Sequence, residues 1–216
     1  MKKILTILSI AFIGSTFAQK GSWYIGGSVG MNSSKTTFTP NGGTKTETGK
    51  DFGWVAAPEF GTFLADTWQL GLALGVSGQS MKGNDTISSM TISPTLYARK
   101  FFKITDNFSL FAGLYGNFTT GNETRTVNAV DVKSTVSGFG ARLGVGIAYA
   151  FSDRFTAVGQ YGLVGFSSST SKDNNSNVTH TSGFDFGVNT VGSSILHEGN
   201  NSGSVFNIGL YYTLFK

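Results

Sequence analysis

From Gly138 to Ser152 the chain alternates without interruption. Phe139, Ala141, Leu143, Val145, Ile147, Tyr149 and Phe151 fall on one face; Gly138, Gly140, Arg142, Gly144, Gly146, Ala148, Ala150 and Ser152 fall on the other. A period of two sustained this long is the signature of an extended strand, because successive side chains leave a pleated backbone on opposite sides. One face is large and apolar, the other small or charged. Any fold must give these two faces different surroundings.

The run ends at Asp153, and the same ending occurs twice earlier. In "FLADTW", "KITDNF" and "FSDRF" an Asp stands two residues before an aromatic: Asp66 with Trp68, Asp106 with Phe108, Asp153 with Phe155. Asp favours tight turns because its side chain can bond the local backbone. Counting outward from each Asp places the large residues at even offsets. Before Asp66 these include Leu64, Phe60, Ala56, Trp54 and Phe52; after it come Trp68, Leu70, Leu72, Leu74 and Val76. Around Asp106 they include Ile104, Phe102, Leu96, Ile92, Phe108, Leu110, Leu114 and Phe118. Lys100 breaks the apolar face near its turn, where a long stem can snorkel toward water or a bulge can reset the register. After Asp153 the contrast blurs. The chain ends supply "SWYIGGSVGMN" and "FNIGLYYTLFK", which alternate in the same way.

This predicts eight strands over 22–34, 52–64, 67–81, 87–102, 107–120, 134–151, 154–169 and 203–215. The turn-Asp connections, at Asp66, Asp106 and Asp153, are short and are expected on the periplasmic side. The others, 35–51, 82–86, 121–133 and 170–202, are polar and mostly long. Short turns at one end and long loops at the other suit an eight-stranded antiparallel up-and-down transmembrane β-barrel, an all-β fold. Within 170–202, "FDFGVN" either extends the hairpin of strand seven or folds over the barrel mouth.

Three features place the large face against lipid rather than in a soluble core. The opposite face is rich in Gly, Ala and Ser, which fit the narrow interior of eight strands. Aromatics gather beside the short turns: Phe63, Trp68, Phe102, Phe108, Phe151 and Phe155 resemble an interfacial girdle. Charges within strands lie mainly on the small face, at Glu59, Arg99 and Arg142. A buried carboxylate needs a partner, so these three are expected to form a lumenal network with Tyr97, Tyr115 and Gln160. That network is either a packed plug or the lining of a gated polar core.

The start, "MKKILTILSIAFIGSTFAQKG", reads as a secretory signal peptide over 1–18: Lys2 and Lys3, then an apolar run, then small residues at Thr16 and Ala18. The barrel domain is then 19–216. Without Lys2 and Lys3 the chain carries 14 basic and 12 acidic residues, and no basic cluster suited to nucleic acid. Cysteine is absent, which excludes thiol catalysis and cysteine metal sites.

These residues resemble a known family. The leader, "GGSVG", the three turns, "GFGARLGVGIAYAFSDRF" and "FNIGLYYTLFK" look like the porin-like outer-membrane β-barrel family of Gram-negative bacteria, most like its Bacteroidetes members. The likeness covers the mature chain and rests on pattern. It implies an outer-membrane protein of structural, adhesive or limited-diffusion role, inserted by the barrel-insertion machinery. In such proteins a terminal aromatic guides insertion; here Phe215 is followed by Lys216, and Leu214 holds the lipid-facing place.

No catalytic, metal or cofactor site is expected. His180 and His197 lie in 170–202; His197 and Glu198 make a poor dyad because adjacent residues on a strand diverge, and a pairing such as His180 with Ser182 recurs by chance in a Ser-rich loop. Asp173, His180, Asp185, His197 and Glu198 have no recognised ligand spacing. The expected protein is a non-enzymatic monomer whose partners are lipid, the insertion machinery and an extracellular ligand held by 35–51 or 170–202. A narrow porin for small solutes is the alternative, and a secreted soluble barrel holding an apolar ligand is a third reading.

Overall fold

A computed structural model describes residues 20–41, 43–83, 85–127, 130–190 and 207–214. The signal segment, His197, Glu198, Phe215 and Lys216 lie outside them. Nine strands follow in chain order: β1 (Trp23–Phe38), β2 (Thr46–Ala65), β3 (Trp68–Lys82), β4 (Thr86–Lys103), β5 (Phe108–Val127), β6 (Val130–Ala150), β7 (Phe155–Asp173), β8 (Val178–Thr190) and β9 (Asn207–Thr213). All pairings are antiparallel and sequential from β1 to β8. β9 pairs with β1 on one edge and with β7 on the other, closing a ring of eight. Closure removes the free edges that an open sheet would expose.

The eighth place in the ring is shared. β9 takes the lower part of the β7 edge, from Phe155 to Gln160, and β8 takes the upper part, from Tyr161 to Lys172. The "FDFGVN" segment therefore extends the hairpin of strand seven, the first of its two sequence readings. Of the expected last strand, 207–213 is realised and 203–206 lies outside the described residues.

The long polar loops are a correction. Only 39–45 separates β1 from β2, 83–85 separates β3 from β4, 128–129 separates β5 from β6, and 174–177 separates β7 from β8. Most of 35–51, 121–133 and 170–190 is strand. Thr- and Val-rich polar sequence has good strand propensity, and an antiparallel ladder already begun in the membrane continues by adding local pairs. Polarity marks where lipid ends, not where the strand ends.

The two faces separate as the alternation requires. Ile25, Val29, Leu72, Leu114, Leu143, Phe139 and Phe166 are exposed on the outside, while Tyr24, Tyr97, Phe101, Phe111, Tyr115 and Tyr211 are buried inside. An apolar exterior of this extent far exceeds what a soluble monomer exposes. The blurred pattern after Asp153 has a specific cause. The β6–β7 register slips between Leu143/Gly144 and Val164/Gly162, leaving Leu163 as an extra residue. Such a bulge resets parity, so Phe155 and Phe166 both face outward although their spacing is odd.

Candidate functional site

The three short turns hold the aromatic band. Trp68, Phe102, Phe151 and Phe155 are exposed on the outer wall and Phe108 is half-buried. Phe63 differs from the expectation: it lies one residue out of phase with Leu64, points inward, and packs against Tyr24 and Phe101. Lys100 stays on the outer face. Its ammonium donates to Thr67 Oγ1 at 2.7 Å and lies 5.2 Å from the Trp68 ring centroid.

At two of these turns a hydroxyl residue before the Asp also bonds the local backbone. Thr105 Oγ1 accepts from the Phe108 amide, and Ser152 Oγ accepts from the amides of Arg154 and Phe155. Asp106 pairs with Lys103 at 2.8 Å, and this partner holds its carboxyl below the usual Asp range. Asp66 is exposed at the first turn, and Asp153 at the third.

Inside, Glu59 on β2 and Arg99 on β4 meet at 3.1 Å, and both are almost wholly buried. Every guanidinium proton has an acceptor. Nε donates to Tyr115 Oη (2.9 Å); Nη1 donates to Gln69 Oε1 (3.2 Å) and Tyr211 Oη (2.8 Å); Nη2 donates to Glu59 Oε2 (3.1 Å) and Gln160 Oε1 (3.3 Å). Guanidinium has five N–H donors and no acceptor, so Arg99 is fully satisfied. Glu59 Oε2 also receives Tyr97 Oη at 2.6 Å and Tyr211 Oη at 2.8 Å. Tyr97 has spent its only proton there. The 2.6 Å contact between Tyr24 and Tyr97 hydroxyls is therefore donated by Tyr24. Tyr115 passes its proton to Gln160 at 2.9 Å.

The structure thus brings Glu59, Arg99, Tyr97, Tyr115 and Gln160 together. Arg142 joins through the Tyr115 ring, whose centroid lies 5.5 Å from its guanidinium carbon. Tyr24, Gln69 and Tyr211 were missed. Alternation already puts all three on the small face; their depth relative to Arg99 is what the pattern lacks.

Glycines make room for these large groups. A Cβ on Gly71 would fall on Tyr24 Oη and 2.6 Å from Tyr97 Cζ; one on Gly146 would fall on Phe111 Cζ and the Gly159 carbonyl. Toward the short turns the network rests on Phe63, Phe101 and Phe111, with centroid separations of 5.9 and 5.4 Å along that row. Toward the other end lie hydroxyl pairs, Ser77 with Thr91 at 2.7 Å and Ser93 with Thr119 at 2.8 Å.

The chemistry of this arrangement is that of a satisfied network. Glu59 Oε2 is engaged by three donors and Arg99 has none to spare. His180 is exposed on β8, where its Nδ1 contacts Thr170 Oγ1 at 2.9 Å, and Ser182 stands opposite Ser168. Among the described residues no group of three or more His, Cys, Asp or Glu side chains could hold a metal ion.

Among solved structures, the chain resembles the outer membrane protein OprG from Pseudomonas aeruginosa, with 18% identity, 92% of this chain and 98% of that chain covered, and a TM-score of 0.50. It also matches Ail, the attachment invasion locus protein of Yersinia pestis (12% identity, 90% and 99% covered, TM-score 0.43), and Neisserial surface protein A (12%, 93% and 99%, TM-score 0.38). At these identities the OprG likeness speaks for the fold. No curated protein sequence matches the chain. The family model described as "Outer membrane protein beta-barrel domain" matches residues 4–191. With that match over most of its length, the chain belongs to the outer membrane protein beta-barrel domain family and is an outer-membrane barrel.

Proposed function

We propose that this barrel is a non-enzymatic, closed outer-membrane protein with a structural or surface-interaction role. One observation carries the reading: the ring of hydrogen bonds around Arg99 draws on six strands, β2, β3, β4, β5, β7 and β9. The aromatic row Phe63, Phe101 and Phe111 lies beside it and supports the same reading. An eight-stranded barrel has room only for side chains at such a level. A solute would have to displace buried, mutually satisfied charges, which is costly in a low-dielectric interior. The same saturation argues against catalysis, since a general acid or base must exchange protons with a substrate.

Conductance in planar bilayers tests this. The purified protein should insert without steady channels, and Phe111→Ala combined with Tyr115→Ala should open one. Steady conductance of the unaltered protein, abolished by a bulky side chain at Gly144, would favour the narrow-porin alternative instead. The extended β1–β2 and β7–β8 hairpins are where a surface partner would bind, because they carry strand pairs well beyond the apolar band.

A further inference from the structure

On the outer wall, β1, β2 and β3 place three lysines side by side. Lys35 stands opposite Lys50, and Lys50 stands opposite Lys82. Directly opposed residues share a face. This face is the lipid-facing one, since Met31, Trp54 and Phe52 on the same parity are exposed. With strands about 4.8 Å apart, the three ammonium stems span about 10 Å. All three side chains are exposed.

Like charges directly opposed across strands destabilise a sheet. Glu47 relieves part of the repulsion by pairing with both Lys35 and Lys50, but Lys82 makes no ion pair among the described residues. The row still carries a net charge of two positive units. Lysines often guard sheet edges against aggregation. That explanation fails for Lys50, which is paired on both sides.

The surroundings point to an amphipathic anion. One row toward the membrane lie Ser33, Phe52 and Ser80; one row further lie Met31, Trp54 and Gly78. The Trp54 indole packs against Gly78, where a Cβ would come within 2.6 Å of Nε1. A tryptophan here marks the interface. The lysine row is four residues beyond it, about 13 Å along the strand and about 10 Å along the normal at ordinary barrel tilt. That is headgroup height in the leaflet facing away from the short turns.

We infer that Lys35, Lys50 and Lys82, with Trp54 below them, form a docking surface for a phosphate-bearing lipid of the outer leaflet, the leaflet that faces away from the short turns when those turns are periplasmic. The acyl chains would lie along Met31 and Trp54, the headgroup hydroxyls near Ser33 and Ser80, and the phosphates on the lysines.

The test uses the full chain in nanodiscs of neutral phospholipid. A bis-phosphorylated glycolipid, its dephosphorylated counterpart and inorganic pyrophosphate are titrated, and occupancy is read by native mass spectrometry. The phosphorylated glycolipid should bind, and Lys35→Gln/Lys50→Gln/Lys82→Gln should weaken it about fivefold per lysine, about a hundredfold in all. Glu47→Gln, which removes the competing carboxylate, should tighten it about fivefold. This variant serves if the triple variant fails to show the heat-modifiable migration of a folded barrel. Lys133→Gln/Lys172→Gln, on β6 and β7, should retain binding. Equal retention of the dephosphorylated lipid, equal affinity for pyrophosphate, weaker binding by the Glu47 variant, or equal loss in the β6–β7 control would each overturn the inference.

Discussion

Removing one partner of the Glu59–Arg99 pair should cost far more than removing both. In Glu59→Leu the guanidinium remains buried with its positive charge, because arginine does not deprotonate in proteins. It keeps Gln69, Gln160, Tyr115 and Tyr211 as neutral acceptors, while Tyr97 loses its acceptor and Tyr211 loses its carboxylate. An uncompensated buried charge typically costs about 3–5 kcal/mol. The retained acceptors put this variant near the lower end, about 3 kcal/mol. Arg99→Met leaves the Glu59 carboxyl still accepting from Tyr97 and Tyr211, so about 1–3 kcal/mol is expected. The double variant replaces a buried ion pair by apolar groups of similar size, a change that is often near neutral. It should lie within about 1 kcal/mol of the unaltered protein. The assay is urea unfolding of the barrel in lipid, followed by heat-modifiable migration and tryptophan emission. The single losses sum to about 4–6 kcal/mol, so the expected coupling energy is at least about 3 kcal/mol. If the double variant loses the sum of the two single losses, the ion pair is not what organises this layer.

Two other consequences can be measured directly. Gly146→Ala should destabilise by about 1–3 kcal/mol because its methyl would collide with Phe111 and a backbone carbonyl, whereas Gly116→Ala, with open space around its Cβ, should stay within about 0.5 kcal/mol in the same unfolding assay. Lys103 lowers the Asp106 pKa. A depressed folded pKa adds stability above the ordinary Asp value of about 4, lost as pH falls through the lower folded value. Amide exchange at 104–107 should therefore quicken relative to other turns at acid pH, and Lys103→Gln should abolish that difference.

The alternation around the three turns was enough to sort inside from outside. Glu59, Tyr97, Arg99, Tyr115 and Gln160 could be assigned to the lumen from parity alone, because pleating is a local property of each strand. Counting failed in identifiable places. Phe63 was grouped with the outer aromatics by its nearness to a turn, although its own parity sends it inward against Phe101. The bulge beside Leu163 has no composition signal, since Tyr161, Leu163 and Val164 are all acceptable on a lipid face. The hydroxyls of Thr105 and Ser152, which accept from the amides of Phe108 and Phe155, carry no signal in the Asp-aromatic spacing.

What the sequence determined by itself, then, is a barrel with a lipid-facing wall, a small-residue interior and charges turned inward. These follow from a two-residue period and need no knowledge of neighbours. What the tertiary structure decided is depth and adjacency. Tyr211 reaches Arg99 across 112 residues and Glu59 across 152, because ring closure brings the last strand beside the first. The lysine row arose the same way. Lys35, Lys50 and Lys82 are unremarkable along the chain and become one surface only when the registers of two strand pairs are set together. Register depends on the whole ring, through stagger and closure, and no local pattern carries it.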